Sequence, residues 1–196
     1  IKQETHFVRW GADVKGLSVV SVGCDNFHGG YQVTEHVIKN NRQHFAFLGG
    51  VSTGAPEFLE RYSGHCKALK DHNLKVDSNL QIDAISTDES GYQAAQQLIA
   101  SGIKFDAICT ASDLIAIGAM RAIQEAGYNV PGDIAIVGFD DIATACSTSP
   151  ALTTAKQDTV LAGELLVDKL LQLVSGEETQ TQLMPATLVV RKSCGS

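Results

Sequence analysis

Residues Ile134 to Asp141 read Ile-Ala-Ile-Val-Gly-Phe-Asp-Asp, and this stretch decides the fold class. A short, evenly apolar run is a strand buried on both faces, which is the habit of a parallel sheet covered by helices. Gly138 lets the chain turn sharply near the end of the strand. Asp140 and Asp141 then stand at its carboxyl end, where open α/β sheets take their ligands.

Working outward, apolar runs and helical periodicities alternate on both sides. Strands are predicted at Val19 to Val22, Phe45 to Leu48, Ile82 to Ile85 and Ala107 to Cys109 upstream, and at Leu152 to Lys156 and Leu188 to Arg191 downstream. Helices are predicted over Tyr31 to Asn40, Pro56 to His72, Ser90 to Ile99, Leu114 to Ala126 and Val160 to Val174. Gly127 just past the fourth helix, with Pro131 beyond, is a stop arrangement. Strand–helix alternation of this kind is an α/β, doubly wound parallel sheet. The first residues, Ile1 to His6, carry neither a helix nor a strand signal.

Parallel strands bring their carboxyl-end turns side by side. Here those turns are Gly49 to Thr53, Ser86 to Asp88, Ala111 to Asp113 and Phe139 to Asp141, with Arg61 one turn into the helix after the first. Carboxylate and guanidinium each make two directed hydrogen bonds, which suits the adjacent hydroxyls of a sugar or nucleoside. Each residue also has a plainer role. Ser112 or Asp113 serves as a helix cap, Asp113 with the greater weight; Arg61 pairs with Glu57 one turn earlier; Asp141 caps a turn; Phe139 is core or pocket wall. For Asp140 the ligand role is favoured.

Other classes find no anchor. The 196 residues are 44% apolar and 19% charged, enough for a core, and no apolar run has the length of a membrane span. A net charge of −7 with dispersed basic residues argues against these residues gripping phosphates of DNA themselves. The five cysteines are widely spaced without a Cys-x-x-Cys pair, and read as buried free thiols of a reducing cytoplasm. Gly49-Gly50-x-x-x-Gly54 lacks the Lys-Ser/Thr of a phosphate-binding loop. The histidines do not assemble metal-ligand spacing, and there is no Gly-x-Ser-x-Gly elbow. His65-Cys66 lies mid-helix and reads as core. The expectation is a pocket without a catalyst, a metal or a cofactor.

Three longer runs carry a resemblance. Val130-Pro-Gly-Asp-Ile-Ala-Ile-Val-Gly-Phe-Asp-Asp141 is followed by Ser149-Pro-Ala-Leu-Thr-Thr-Ala-Lys-Gln157, and preceded by Ala111-Ser-Asp-Leu-Ile-Ala-Ile-Gly-Ala-Met-Arg-Ala-Ile123. With Ala46 to Gly50, Arg61-x-x-Gly64 and Glu89 to Tyr92, they resemble the lac repressor family of bacterial transcription regulators. The resemblance implies an effector-binding core of two periplasmic-binding-protein-like lobes. Residues 23–157 and 187–196 would be the C-terminal lobe; 1–22 and 158–186 would be the remnant of an incomplete N-terminal lobe, with the helix-turn-helix headpiece absent. It also implies a homodimer to which the helix Leu114 to Ala126 contributes.

Carried over by position, Arg61 matches an arginine used on sugar hydroxyls, Asp140 the ligand carboxylate, and Gln157 a polar residue at the lobe crossover. Ser86 stands where an aromatic ring is common, Ser112 where Asn or Asp is common, and Trp10 where a polar pocket residue is common. Trp10 is then expected to supply the stacking surface that Ser86 does not. Ser52 to Glu60 is one residue longer than in relatives. The implied function is small-molecule sensing that modulates operator DNA binding in the cytoplasm. The alternatives are a periplasmic sugar-binding protein of a transport system and, on the alternating pattern alone, a nucleotide-dependent enzyme. Arg61→Ala and Asp140→Ala are expected to remove effector binding and to leave the fold intact.

Overall fold

A computed structural model describes residues 5–12, 19–52 and 54–195. The stretch Ile134 to Asp141 supplies β6 (Ala135–Asp140), the central strand of a sheet in the order β4-β3-β5-β6-β7-β9. Its neighbours are β3 (Phe45–Leu48), β4 (Gln81–Ile82), β5 (Ala107–Thr110) and β7 (Thr153–Lys156), all parallel, with β9 (Thr187–Val189) antiparallel at one edge. Val137 faces Cys109 on one side and Thr153 on the other. Ile136, Val137 and Phe139 are wholly enclosed, as an even apolar run requires.

Successive residues of β6 meet opposite layers. A side chain at Gly29 of α1 (Asn26–Lys39) would strike the Phe139 ring, whereas one at Gly138 would strike the Asp113 carboxylate of α4 (Asp113–Glu125). On the first face α1 is joined by α2 (Pro56–Asp71), whose Tyr62 and His65 rings lie on Phe47 of β3. On the second, α4 is joined by α3 (Asp88–Ser101). Both helix pairs cross through glycines. A Cβ at Gly30 would lie 2.2 Å from the Arg61 carbonyl oxygen and one at Gly64 2.0 Å from that of Phe27. Gly91 and Gly118 meet the carbonyls of Ile115 and Asp88 in the same way, at 2.2 and 1.9 Å.

A second, smaller sheet has the order β1-β2-β8: β1 (Arg9–Trp10), β2 (Ser21–Cys24) and β8 (Gln182–Met184), all parallel. α5 (Thr159–Val174) lies against β1 and β2. The chain passes between the two sheets three times, from β2 into α1, from β7 into α5 and from β8 into β9. Around the small sheet the enclosed apolar cluster is Val22, Ala162 and Met184, and Val160, Val167, Leu171 and Val174 of α5 are exposed.

Several predicted boundaries are corrected. α1 begins at Asn26 and not at Tyr31, because Gly29-Gly30 are not breakers here but the points where the helix lies against Phe139 and the backbone of Arg61. Cys24 ends a strand that starts at Ser21, two residues later than predicted, and Asp25 caps α1 through the His28 N–H. β4 stops at Ile82, after which Asp83 turns its carboxylate to the Val51 N–H. The last strand is Thr187–Val189. β1 and β8, of two and three residues, are too short to show a period. Of the five thiols, Cys24, Cys109 and Cys194 are buried as expected and Cys146 is exposed.

Candidate functional site

The carboxyl edge of the large sheet is organised by one buried cation. Arg61 is 4% exposed, because its α2 position faces the strand ends and not solvent. Its Nε donates to Asn26 Oδ1 at 2.8 Å, and its Nη1 to the Ala111 carbonyl and, at 3.2 Å, to Asp140 Oδ1. The guanidinium lies 3.8 Å from the centroid of the Phe139 ring, so it is held from one side by a π-face and in its plane by acceptors. The Glu57 pairing considered for Arg61 does not form; Glu57 accepts instead from the Ala12 N–H at 3.0 Å.

Gln157, just after β7, donates through Nε2 to the same Asp140 oxygen at 2.6 Å. Asp140 is therefore gripped by two donors and remains partly open, its side chain 27% exposed. Burial raises its carboxyl above the ordinary value, and the Arg61 charge works against that rise. Both aspartates have positive φ; Asp141, at +58°, lies in the left-handed region that Asp tolerates better than most side chains, whereas Asp140, at +115°, lies outside it in backbone that side chains rarely adopt. Asp141 pairs with Arg191 at 2.6 Å, which ties the turn to the end of β9 and makes it a brace and not a turn cap.

The two serines stand on neighbouring loops, Ser86 after β4 and Ser112 after β5. Ser86 donates to Ser112 Oγ at 2.9 Å, and Ser112 is the cap of α4, accepting at a long 3.5 Å from the Ile115 N–H. The weight given to Asp113 as the cap is thus corrected. Asp113 is fully buried and accepts from Thr154 Oγ1 at 2.6 Å and from the Ile142 N–H at 2.9 Å. It bolts the Asp140–Asp141 turn to the sheet from below. Desolvation pushes its carboxyl up to about 7, and the nearby Asp140 and Asp141 add to the rise.

The structure brings together Arg61, Asp140 and Gln157 as one group and Ser86 and Ser112 as a second beside it, joined through Ala111. Trp10 stands apart, 40% exposed on β1. The wall of the neighbouring cleft is formed by its predecessor Arg9. That cleft, of about 440 Å³, is bounded by Arg9, Val51, Gly54, Ala55, Pro56 and Leu59. Sequence reading did not single out Arg9 or Asn26, and weighed Asp113 only as a helix cap. The signal for Asn26 was its place at the start of α1; Arg9 sits in a two-residue strand with nothing to mark it. Among the described residues no group of three or more His, Cys, Asp or Glu side chains is arranged to hold a metal ion, and no helix is long and apolar enough to cross a membrane.

Asp140, a part-exposed carboxylate held by Arg61 and Gln157, thus stands at the carboxyl edge of the large sheet. The fold is that of a periplasmic binding protein-like domain, whose family model matches residues 34–194. The chain is 38% identical over 160 residues to the lactose operon repressor of Escherichia coli (strain K12), covering 81% of this chain and 44% of that protein. The solved Escherichia coli transcriptional repressor AscG superposes with a TM-score of 0.83 at 30% identity, over 94% of this chain and 67% of that one. The complex of the regulator CelR with cellobiose superposes with a TM-score of 0.86 at 30% identity, over 95% and 58%. The chain belongs to the lac repressor family of transcription regulators. It spans about half the length of the curated relatives it matches.

Proposed function

We propose that this chain is the effector-sensing core of a cytoplasmic transcription regulator, taking a sugar or nucleoside at the carboxyl edge of its large sheet. The observation that carries the reading is Asp140: a part-exposed carboxylate held by Arg61 and Gln157, aimed by a positive-φ turn, with acceptor capacity left for a ligand's hydroxyls. Arg61 orients Asp140 through Nη1 and is itself anchored through Nε and Nη1 within the protein. Ser86 offers an exposed hydroxyl on the loop after β4, held in place by the buried Ser112 of the loop after β5. A relative's complex with cellobiose supports a saccharide.

In this reading residues 23–157 with 187–196 form the C-terminal lobe, and residues 1–22 with 158–186 belong to an N-terminal lobe. The exposed apolar face of α5 supports that division, because three short strands and one helix do not cover it. Effector binding would change the angle between lobes in a homodimer, and with it the spacing of operator-reading headpieces. The helix of residues 114–126 contributes to the dimer face, and a strictly monomeric full-length protein in sedimentation would count against that.

Trp10 is the single tryptophan of the 196 residues and lies on the strand next to the cleft. Titrating neutral hexoses, pentoses, disaccharides and nucleosides should therefore change its emission saturably for at least one compound class. A flat response across the panel, confirmed by calorimetry, would refute the assignment.

A further inference from the structure

The cleft beside β1 has a feature that the Asp140 cluster does not explain. The Nε–H of Arg9 is buried and has no partner, and one terminal nitrogen donates to the Ala12 carbonyl. Among the described residues no carboxylate forms an ion pair with it; Glu57, the acidic group on this rim, is turned to the Ala12 N–H. The Nε is closed off from the cleft, so what Arg9 offers a ligand is the remainder of its guanidinium, which lines the cleft without an acidic partner among the described residues.

The surroundings say what kind of occupant fits. The cleft has room for a monosaccharide, and Val51, Ala55, Pro56 and Leu59 give it apolar walls against which the C–H face of a sugar ring rests. Such walls exclude water and strengthen a charge interaction made between them. α2 starts on the same wall at Pro56, and its cap residue Ala55 offers no side-chain oxygen to the first N–H groups. The positive end of a sixteen-residue helix therefore points the same way as the arginine. The chain's overall charge of −7 opposes anions at long range, so affinity for one has to come from this local pair.

We propose that the effector is an acidic saccharide, and that Arg9 binds its carboxylate or phosphate group while the Asp140 edge takes its hydroxyls. This rests on the crevice reading above and names the class of ligand for it. Arg9 is the specificity determinant: a planar fork matches either oxyanion with two parallel hydrogen bonds.

The test is calorimetric titration of the full-length protein with matched sets: galactose, galacturonate and galactose 6-phosphate; glucose, glucuronate and glucose 6-phosphate; ribose and ribose 5-phosphate. In one set an acidic member should bind at least about tenfold more tightly than its neutral parent, the least a charge-assisted hydrogen bond contributes. Which acid wins tells carboxylate from phosphate. Arg9→Gln should bring the acidic member down to the neutral one, and Arg9→Lys, which keeps the charge but not the fork, should keep part of the preference. Should Arg9→Gln fail to fold, the Arg9→Lys result and the weakening of the preference in high salt decide. Equal binding of neutral and acidic members, or a preference that survives Arg9→Gln, overturns the acidic assignment and leaves the crevice reading standing. No binding of any saccharide overturns both.

Discussion

Arg61→Ala is expected to damage the fold before it can report on a ligand. The substitution removes the bonds to Asn26 at 2.8 Å and to the Ala111 carbonyl, the pair with Asp140 at 3.2 Å, and a cation stacked 3.8 Å over Phe139. Breaking a buried ion pair from one side costs about 3–5 kcal/mol. Asp140 keeps its Gln157 bond and some solvent, so the pair itself belongs at the lower end, about 3 kcal/mol. The lost stacking, about 2 kcal/mol when desolvated, does not add in full because the same atoms are involved. Against a total stability of about 5–15 kcal/mol this leaves a marginal protein. The expectation from sequence that Arg61→Ala spares the fold is therefore revised. Asp140→Asn is the milder change: it keeps an oxygen for Gln157 and Arg61, leaves Arg61 its other two acceptors, and should cost about 1–2 kcal/mol. Urea unfolding followed by circular dichroism at neutral pH separates the two. If Arg61→Ala lost less than about 1 kcal/mol, or lost no more than Asp140→Asn, the guanidinium would not be the keystone described.

Two further outcomes follow from the same packing. The Asp113 carboxyl is raised in the folded state to about 7 from an unfolded value of 3.8, so the folded form holds its proton over a range where the unfolded form has lost it. Its contribution is present below pH 3.8 and lost as the pH rises towards 7. Asp113→Asn should thus gain stability relative to the parent across that window, by no more than about 1.4 kcal/mol per pH unit, with Ile142 still donating to the amide oxygen. A parent-minus-variant difference that stays flat from pH 4 to 7 would contradict the buried brace. Gly64→Ala places a methyl 2.0 Å from the Phe27 carbonyl and must push α1 from α2 one turn away from Arg61. It should cost about 1–3 kcal/mol in denaturant unfolding and weaken effector binding as well; a neutral effect would show that the crossing is looser than described.

Much of this was legible because β6 is simple: five apolar or small residues buried on both faces can be little other than a central parallel strand, and its end places Asp140 without further information. Arg61 was found through its position on α2, but its burial was not, since a charged side chain one turn into a helix gives no sign of which way it faces. The start of α1, at Asn26 with Gly29 and Gly30 in its first turns, was not legible for a physical reason. Glycine marks turns and close helix approach alike, and the partner surfaces, Phe139 and the Arg61 backbone, lie more than thirty residues away. Asp113 and Ser112 exchanged roles because either can cap, and the choice is made by Thr154, forty-one positions from Asp113 in the chain. Arg9 was invisible, as its meaning depends on a cleft whose other wall is contributed by Val51, Gly54, Ala55, Pro56 and Leu59.

The central claim is that the Asp140 carboxylate is the ligand's principal acceptor. The most direct measurement is calorimetric titration of the tightest-binding saccharide into the parent and into Asp140→Asn, with both shown to be folded by their melting curves. One site per chain in the parent, and a loss of affinity of about tenfold or more in the variant at little cost in melting temperature, is the result predicted. Undiminished affinity in Asp140→Asn would place the ligand elsewhere and contradict the account.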